Sequence, residues 1–89
     1  IRVPAIVRWP AGLDSGREVK QLVHFTDWLP TLAEAACVSL FDGPPLDGES
    51  VLAALRGERG KTNTRRFWQW NRYDPVPNCN AAMRDGQWK

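Results

Sequence analysis

Enzymatic chemistry needs a nucleophile, a base or a metal cage, and few of the 89 residues could supply one. His24 is the single histidine and stands beside Phe25 in an apolar run. With no second histidine or nearby cysteine it is a poor ligand set, so it reads as a buried structural residue. Asp42, Asp47 and Glu49 form an acidic trio, but Pro44 and Pro45 interrupt it and the alternating oxygen ligands of a calcium loop are missing. Ser15, Ser39 and Ser50 lack the glycines of a nucleophile elbow. The run GERGKT (57–62) ends like a phosphate-cradling loop. The first glycine of that pattern would fall at Leu55, and no buried strand leads into it, so that reading is rejected.

The remaining reactive and adhesive side chains leave alternatives open. Cys37 sits among Ala35, Ala36 and Val38, which favours a buried free thiol. A disulfide with Cys79 is the alternative, and it needs a geometry that spacing does not supply. Trp9, Trp28, Trp68, Trp70, Trp88 and Tyr73 are many aromatics for so short a chain. Core packing is their commonest use, stacking on sugar rings another. Trp68 and Trp70 lie two apart in a strand-like run and share a face, which Arg72 adjoins.

The elements that must position these residues follow from local signals. Residues 4–9, Pro-Ala-Ile-Val-Arg-Trp, are apolar and β-rich and stop at Pro10, which suits a strand buried on both faces. AGLDSGRE (11–18) is a turn, and VKQLVHF alternates loosely enough to be extended. TDWLPTLAEAACV gives the strongest helix signal. Thr26 or Asp27 caps it, Asp27 suits the positive end of its dipole, and Pro30 falls in the first turn. Leu29, Leu32, Ala33 and Ala36 recur at helical spacing as its apolar face. FDGPPLDG (41–48) is a forced loop. A short helix follows, with Asp47 or Ser50 near its start, Val51, Leu52 and Leu55 facing inward, and Gly57 at its end. FWQW (67–70) reads as a strand and NRYDPVPNCN (71–80) as a loop. AAMRDGQWK reads as a hairpin turning at Asp85-Gly86.

Bulk properties narrow the class. Hydrophobic residues at 43% and charged residues at 25% exclude general disorder. A free-standing chain of this length would bury roughly 60–65% of its unfolded surface. No apolar run approaches the roughly 20 residues of a membrane span. A net charge of +2 is too small to imply nucleic acid. Residues 1–44 carry four basic and five acidic side chains, residues 45–89 eight and five. Much of the excess lies in RGERGKTNTRR (56–66), read as a solvated loop, with a polyanion patch as the alternative.

Four blocks in order resemble the sulfatase family of the alkaline-phosphatase-like superfamily. IRVPAIVRWPAG is similar to the family's segment beginning Gly-Gly-x-Arg-x-Pro, without its glycines. HFTDWLPTLAEAACV resembles the next helix with its Asp-x-x-Pro-Thr-Leu core, and PPLDGESVLAALRGE the Leu-Asp-Gly-x-Ser element. RFWQW and AAMRDGQWK resemble the return strands. The resemblance implies an α/β fold: late elements of the main sheet sandwich over 1–57, a polar connector over 58–66, and the start of a small antiparallel C-terminal subdomain over 67–89.

It also implies sulfate-ester hydrolysis through a formylglycine made from Cys or Ser in a Cys/Ser-x-Pro-x-Arg motif, with a calcium ion holding the sulfate. Cys37 is followed by Val-Ser-Leu-Phe and Cys79 by Asn-Ala-Ala-Met, so neither matches that motif. Catalytic and metal-binding residues are therefore expected upstream of Ile1, and none is assigned here. The expectation is an internal piece of a larger hydrolase, inactive alone and completed by the upstream part of the same polypeptide. Its substrate would be a sulfated small molecule or glycan, its location exported (periplasmic or extracellular) or lysosomal, with no nucleic-acid or membrane partner. Arg2 is read as anchoring the strand entrance through a carboxylate, and Asp27 and Pro30 as structural. Trp70, Asn71, Arg72 and Asn78 are candidate substrate contacts, because their loop is long, polar and aromatic. A small aromatic-rich glycan-binding module and a phosphatase or phosphodiesterase of the same superfamily are the alternatives.

Overall fold

The computed structural model describes residues 3–40, 43–58, 63–71, 73–74, 76–78 and 80–89. It is a mixed α/β arrangement: two short helices form one unit and a two-stranded antiparallel hairpin the other. A 3-10 turn, Phe25–Asp27, runs directly into helix α1, Trp28–Ala35. Helix α2 spans Leu52–Arg56. Strand β1, Arg65–Trp70, pairs with β2, Asn80–Asp85, in a register that sets Arg65 opposite Asp85 and Trp70 opposite Asn80.

The helix start is built one turn earlier than the sequence suggests. His24 caps the 3-10 turn, its side chain facing the Thr26 amide, while Asp27 is the N-cap residue of α1, as expected, without a side-chain bond to that helix's amides. Asp27 reaches back to accept from the His24 backbone N–H at 2.7 Å, which completes a capping box. Pro30 then lies within the first turn of α1, where no intrahelical donor is lost. Both helices end in the same way. After α1, Val38 N–H bonds the Ala33 carbonyl at 2.9 Å and Cys37 N–H the Glu34 carbonyl at 3.1 Å. After α2, Glu58 N–H bonds Ala53 at 2.8 Å and Gly57 N–H bonds Ala54 at 3.0 Å. These are Schellman closures, which need a left-handed residue. Gly57 supplies it after α2 with φ 80°, and Cys37 after α1 with φ 54°.

Several expectations are corrected. Residues 4–9 form no strand, and Val3 and Ile6 stand in solvent. A strand exists only where a neighbour completes its ladder, and among the described residues no backbone hydrogen bond joins 3–8 to another segment. VKQLVHF, read as extended, joins no strand ladder, and its His24 has extended backbone angles. Leu29 and Leu32, half of the face read as inward on α1, are exposed; the buried residue of that helix is Thr31. Cys37 is an exposed free thiol, because the closing turn carries it off the helix surface. Cys79, and with it a bridge to Cys37, lies outside the described residues. The strand read as 67–70 begins at Arg65, since the preceding arginines also find partners in β2. The terminal turn is centred on Gly86 and Gln87, with Asp85 and Trp88 exchanging backbone bonds of 3.0 and 2.9 Å. Of its two central residues only Gly86 has positive φ, at 57°, which is the type II′ pattern.

The core is thin. Among the described residues only Val51 and Leu52 are buried hydrophobics. Accessible surface is 7910 Å², against about 5,300 Å² for a compact monomer of this mass. The radius of gyration, 15.1 Å, exceeds the roughly 12 Å expected of a compact chain this long. What organises the interior is polar.

Candidate functional site

Asp27 is the best-buried side chain described, with none of its surface exposed. Ending the 3-10 turn, its carboxylate points away from solvent toward three donors. The His24 N–H bonds Oδ2, and the Glu49 N–H bonds Oδ1 at 3.0 Å. The Arg66 guanidinium spans both oxygens from Nη2 at 3.1 and 3.2 Å. Arg66 is itself only 5% exposed. A buried carboxylate is tolerable only when its lone pairs are used and its charge is met, and here both conditions hold. The loop before α2 can come close enough because residue 48 is glycine; a Cβ there would lie 2.1 Å from the Thr26 carbonyl oxygen. Thr31 extends the network. Its hydroxyl donates to the Asp27 carbonyl at 2.6 Å and accepts from the Val51 N–H at 3.0 Å, which ties α1 to the start of α2. Ser50 Oγ accepts the Leu52 amide at 3.2 Å.

His24 is buried, as its apolar setting suggests. The Thr26 N–H faces Nδ1 at 3.4 Å, so Nδ1 is the accepting nitrogen and the Thr26 hydroxyl donates to it at 2.8 Å. The proton then resides on Nε2, which has no hydrogen-bond partner among the described residues. The ring packs between Phe25 and Trp68, with centroids 4.2 and 5.0 Å away. Above this seam lies an open depression of about 800 Å³ bordered by His24, Thr26, Asp47, Thr64, Arg66 and Asp85. On its rim the Arg65 guanidinium holds Asp85 from Nε at 3.1 Å and Nη2 at 3.0 Å, and the Thr64 hydroxyl donates to the same carboxylate at 2.9 Å. The Thr64 bond, followed by Arg65, holds the Asp85 carboxyl below its usual range.

The residues read as substrate contacts lie at the other end of the hairpin. Trp70 closes β1 and is exposed; Asn71 follows and donates its side-chain amide to the Tyr73 carbonyl. Asn78 is exposed in the loop beyond. Arg72 and Arg2 lie outside the described residues. The structure therefore sets Trp70 and Asn71 side by side and keeps them apart from the buried seam. Arg66 was missed because its run looks like a solvated basic loop. Its alternation with Trp68 and Trp70 on one strand face was the signal available.

Neither group of residues fits the cofactors that the resemblance implies. Among the described residues no cluster of three or more His, Cys, Asp or Glu could hold a metal ion. The one described cysteine, Cys37, is followed by Val-Ser-Leu rather than by a proline and an arginine at the required spacing.

Known proteins resembling this chain are sulfatases. It is 37% identical to rat steryl-sulfatase over 89 residues, the whole chain and 14% of that protein. Over 88 residues, 99% of the chain and 13% of the relative, it is 30% identical to mouse steryl-sulfatase. A 63-residue match, 71% of the chain and 12% of the relative, is 36% identical to an ulvan-active sulfatase of Formosa agariphila. The chain thus spans only 12–14% of the length of these relatives. No family model and no solved structure matches it. The four blocks read from the residues now have relatives that match across essentially the whole chain, and by sequence this chain belongs to the sulfatase family.

Proposed function

We propose that these residues are a scaffold segment, and one wall of the substrate pocket, of a sulfuric ester hydrolase acting on sulfate esters. The observation that carries the reading is the whole-chain similarity to steryl-sulfatases. The thin core supports it. An accessible surface roughly half again that of a compact monomer leaves apolar side chains needing cover that a self-contained glycan-binding module would supply itself. In this reading the whole protein has the alkaline-phosphatase-like α/β sandwich. Residues 1–57 end its catalytic domain, 58–66 connect, and 67–89 begin the antiparallel subdomain. Formylglycine and calcium are supplied by polypeptide outside these residues, and no step of their chemistry is assigned to this chain.

Sulfated glycans are the proposed substrate class, with Trp70, Asn71, Arg72 and Asn78 as the contacting edge. Exposed Trp70 and Tyr73 are suited to stacking on sugar rings, and ulvan, in one relative's name, is in keeping with this. The test is an assay of the full-length protein and of the 89-residue chain with para-nitrophenyl sulfate and para-nitrophenyl phosphate. The expected result is sulfate release by the full-length protein alone. A preference for the phosphate ester, or turnover by the 89 residues, overturns the proposal.

A further inference from the structure

Strand β1 carries Arg66, Trp68 and Trp70 on one face. Along that face burial falls steadily: Arg66 is 5% exposed, Trp68 is half-buried against His24, and Trp70 is 66% exposed. The hairpin is therefore held at one end and overhangs at the other, where Trp70 and Asn71 stand. From these observations we infer that Arg66, through its buried pair with Asp27, is a positioning residue for the Trp70–Asn71 edge. The role of that edge in binding substrate rests on the proposed function above.

Lever geometry gives the argument its size. Trp70 lies four positions after Arg66, roughly 13 Å of strand, so a tilt of about 10° at the anchor displaces Trp70 by roughly 2 Å. Misplacement of about 1 Å is enough to cost on the order of a hundredfold in a positioned reaction. The anchor is directional as well as charged. The guanidinium meets both Asp27 oxygens and turns Nη1 toward the Arg65 carbonyl at 3.4 Å. Asp27 in turn is fixed by the His24 and Glu49 amides, which belong to the helix unit. A lysine would keep the charge but not the plane, because its ammonium is a point donor without fixed direction. Trp68, its ring tilted against His24 with centroids 5.0 Å apart, defines the second point of the lever, and an anchor with two points sets an angle as well as a distance.

The experiment separates charge from direction in the full-length protein. Arg66→Lys is expected to raise KM for a sulfated tetrasaccharide by about tenfold, while kcat and KM for para-nitrophenyl sulfate stay within about twofold. Trp70→Ala, which leaves the anchor alone, is expected to show the same selectivity. No selective rise in Arg66→Lys overturns the positioning role, and so does an equal rise on both substrates. If Trp70→Ala is selective and Arg66→Lys is not, the substrate edge stands and the lever falls. If Trp70→Ala is not selective, the edge itself is wrong and the inference falls with it. Should Arg66→Lys not fold, the Asp27→Asn/Arg66→Met pair, which removes both charges, carries the same expectation. Failure of both to fold overturns the proposal, since a pair needed for the fold at large does more than aim one edge.

Discussion

The seam between the helix unit and the hairpin has the opposite polarity to the outward faces of the same elements. Inside lie Asp27, Thr31, Arg66 and His24; outside lie Leu29 and Leu32 of α1, Phe67 of β1 and Met83 of β2. Soluble domains ordinarily arrange these residue types the other way round. The seam shows that a charge can be buried when geometry saturates it. Asp27 meets two amides and a guanidinium, and the Thr31 hydroxyl links its backbone carbonyl to the next helix. The outward faces show the converse. Leu29 and Leu32 recur at helical spacing, and Phe67 and Met83 face each other across the ladder, yet all four are exposed. Under the proposed function, other parts of a longer sulfatase cover these faces.

The sharpest way to break this contrast is to remove its centre. Asp27→Ala leaves Arg66 buried without its counter-charge and strips the His24 and Glu49 amides of their acceptor. Breaking one side of a buried pair costs about 3–5 kcal/mol, so denaturant unfolding of the full-length protein should shift by that amount or the protein should fail to accumulate. A shift under about 1 kcal/mol would mean the seam is wet and the pair behaves like a surface one. The outward face is tested by Leu32→Ala. If α1 packs against further polypeptide there, the substitution costs about 2–4 kcal/mol. If Leu32 faces solvent in the full-length protein as it does in this chain, the change stays within about 0.5 kcal/mol, and the scaffold reading loses its main physical support.

The same contrast explains which parts of the structure were legible in the sequence. α1 and α2 announced themselves because caps, an early proline and a closing glycine act over one turn; Pro30, Ser50 and Gly57 all sit where such local chemistry puts them. The partner of Asp27 did not, because it lies 39 residues away in a run whose neighbours are polar. Only folding brings Arg66 under the helix. The 4–9 run failed in a different way. Its composition is that of a strand, but a strand is a relation between two segments, and among the described residues no backbone hydrogen bond joins 3–8 to another. The Trp70–Asn71 edge was legible as a juxtaposition and not as a mechanism. Nothing in its residue types showed that its position depends on an arginine four places earlier.

A smaller effect sharpens the comparison between the two helix ends. Gly57 and Cys37 occupy the same left-handed position, but only glycine adopts it without a Cβ clash, which costs other residues roughly 1–2 kcal/mol. Glycine also adds freedom to the unfolded chain, which offsets part of the gain. Cys37→Gly is therefore expected to stabilise by about 0.5–1 kcal/mol, read as a rise in the denaturant midpoint. The exposed thiol makes a control available: the same gain should appear with the protein kept fully reduced. A loss of stability would show that the cysteine side chain makes a contact which the closing turn alone does not require.

The least costly perturbation lies on the rim of the depression, where Asp85 is held by Thr64 and Arg65 rather than buried. Its carboxyl is held below the usual carboxylate range, first because the Thr64 hydroxyl donates to the ionised form and next because the Arg65 guanidinium does. A carboxyl lowered in the folded state contributes stability that is present above its unfolded pKa, about 4, and is lost as pH falls through the folded value. The hairpin end should thus loosen only in strong acid and be indifferent to pH between about 5 and 8. Following the Asp85 carboxyl carbon by NMR should place its midpoint below that of an unperturbed aspartate, and Thr64→Val should move that midpoint upward. If Thr64→Val leaves it unchanged and only loss of Arg65 raises it, charge rather than the hydroxyl governs this rim.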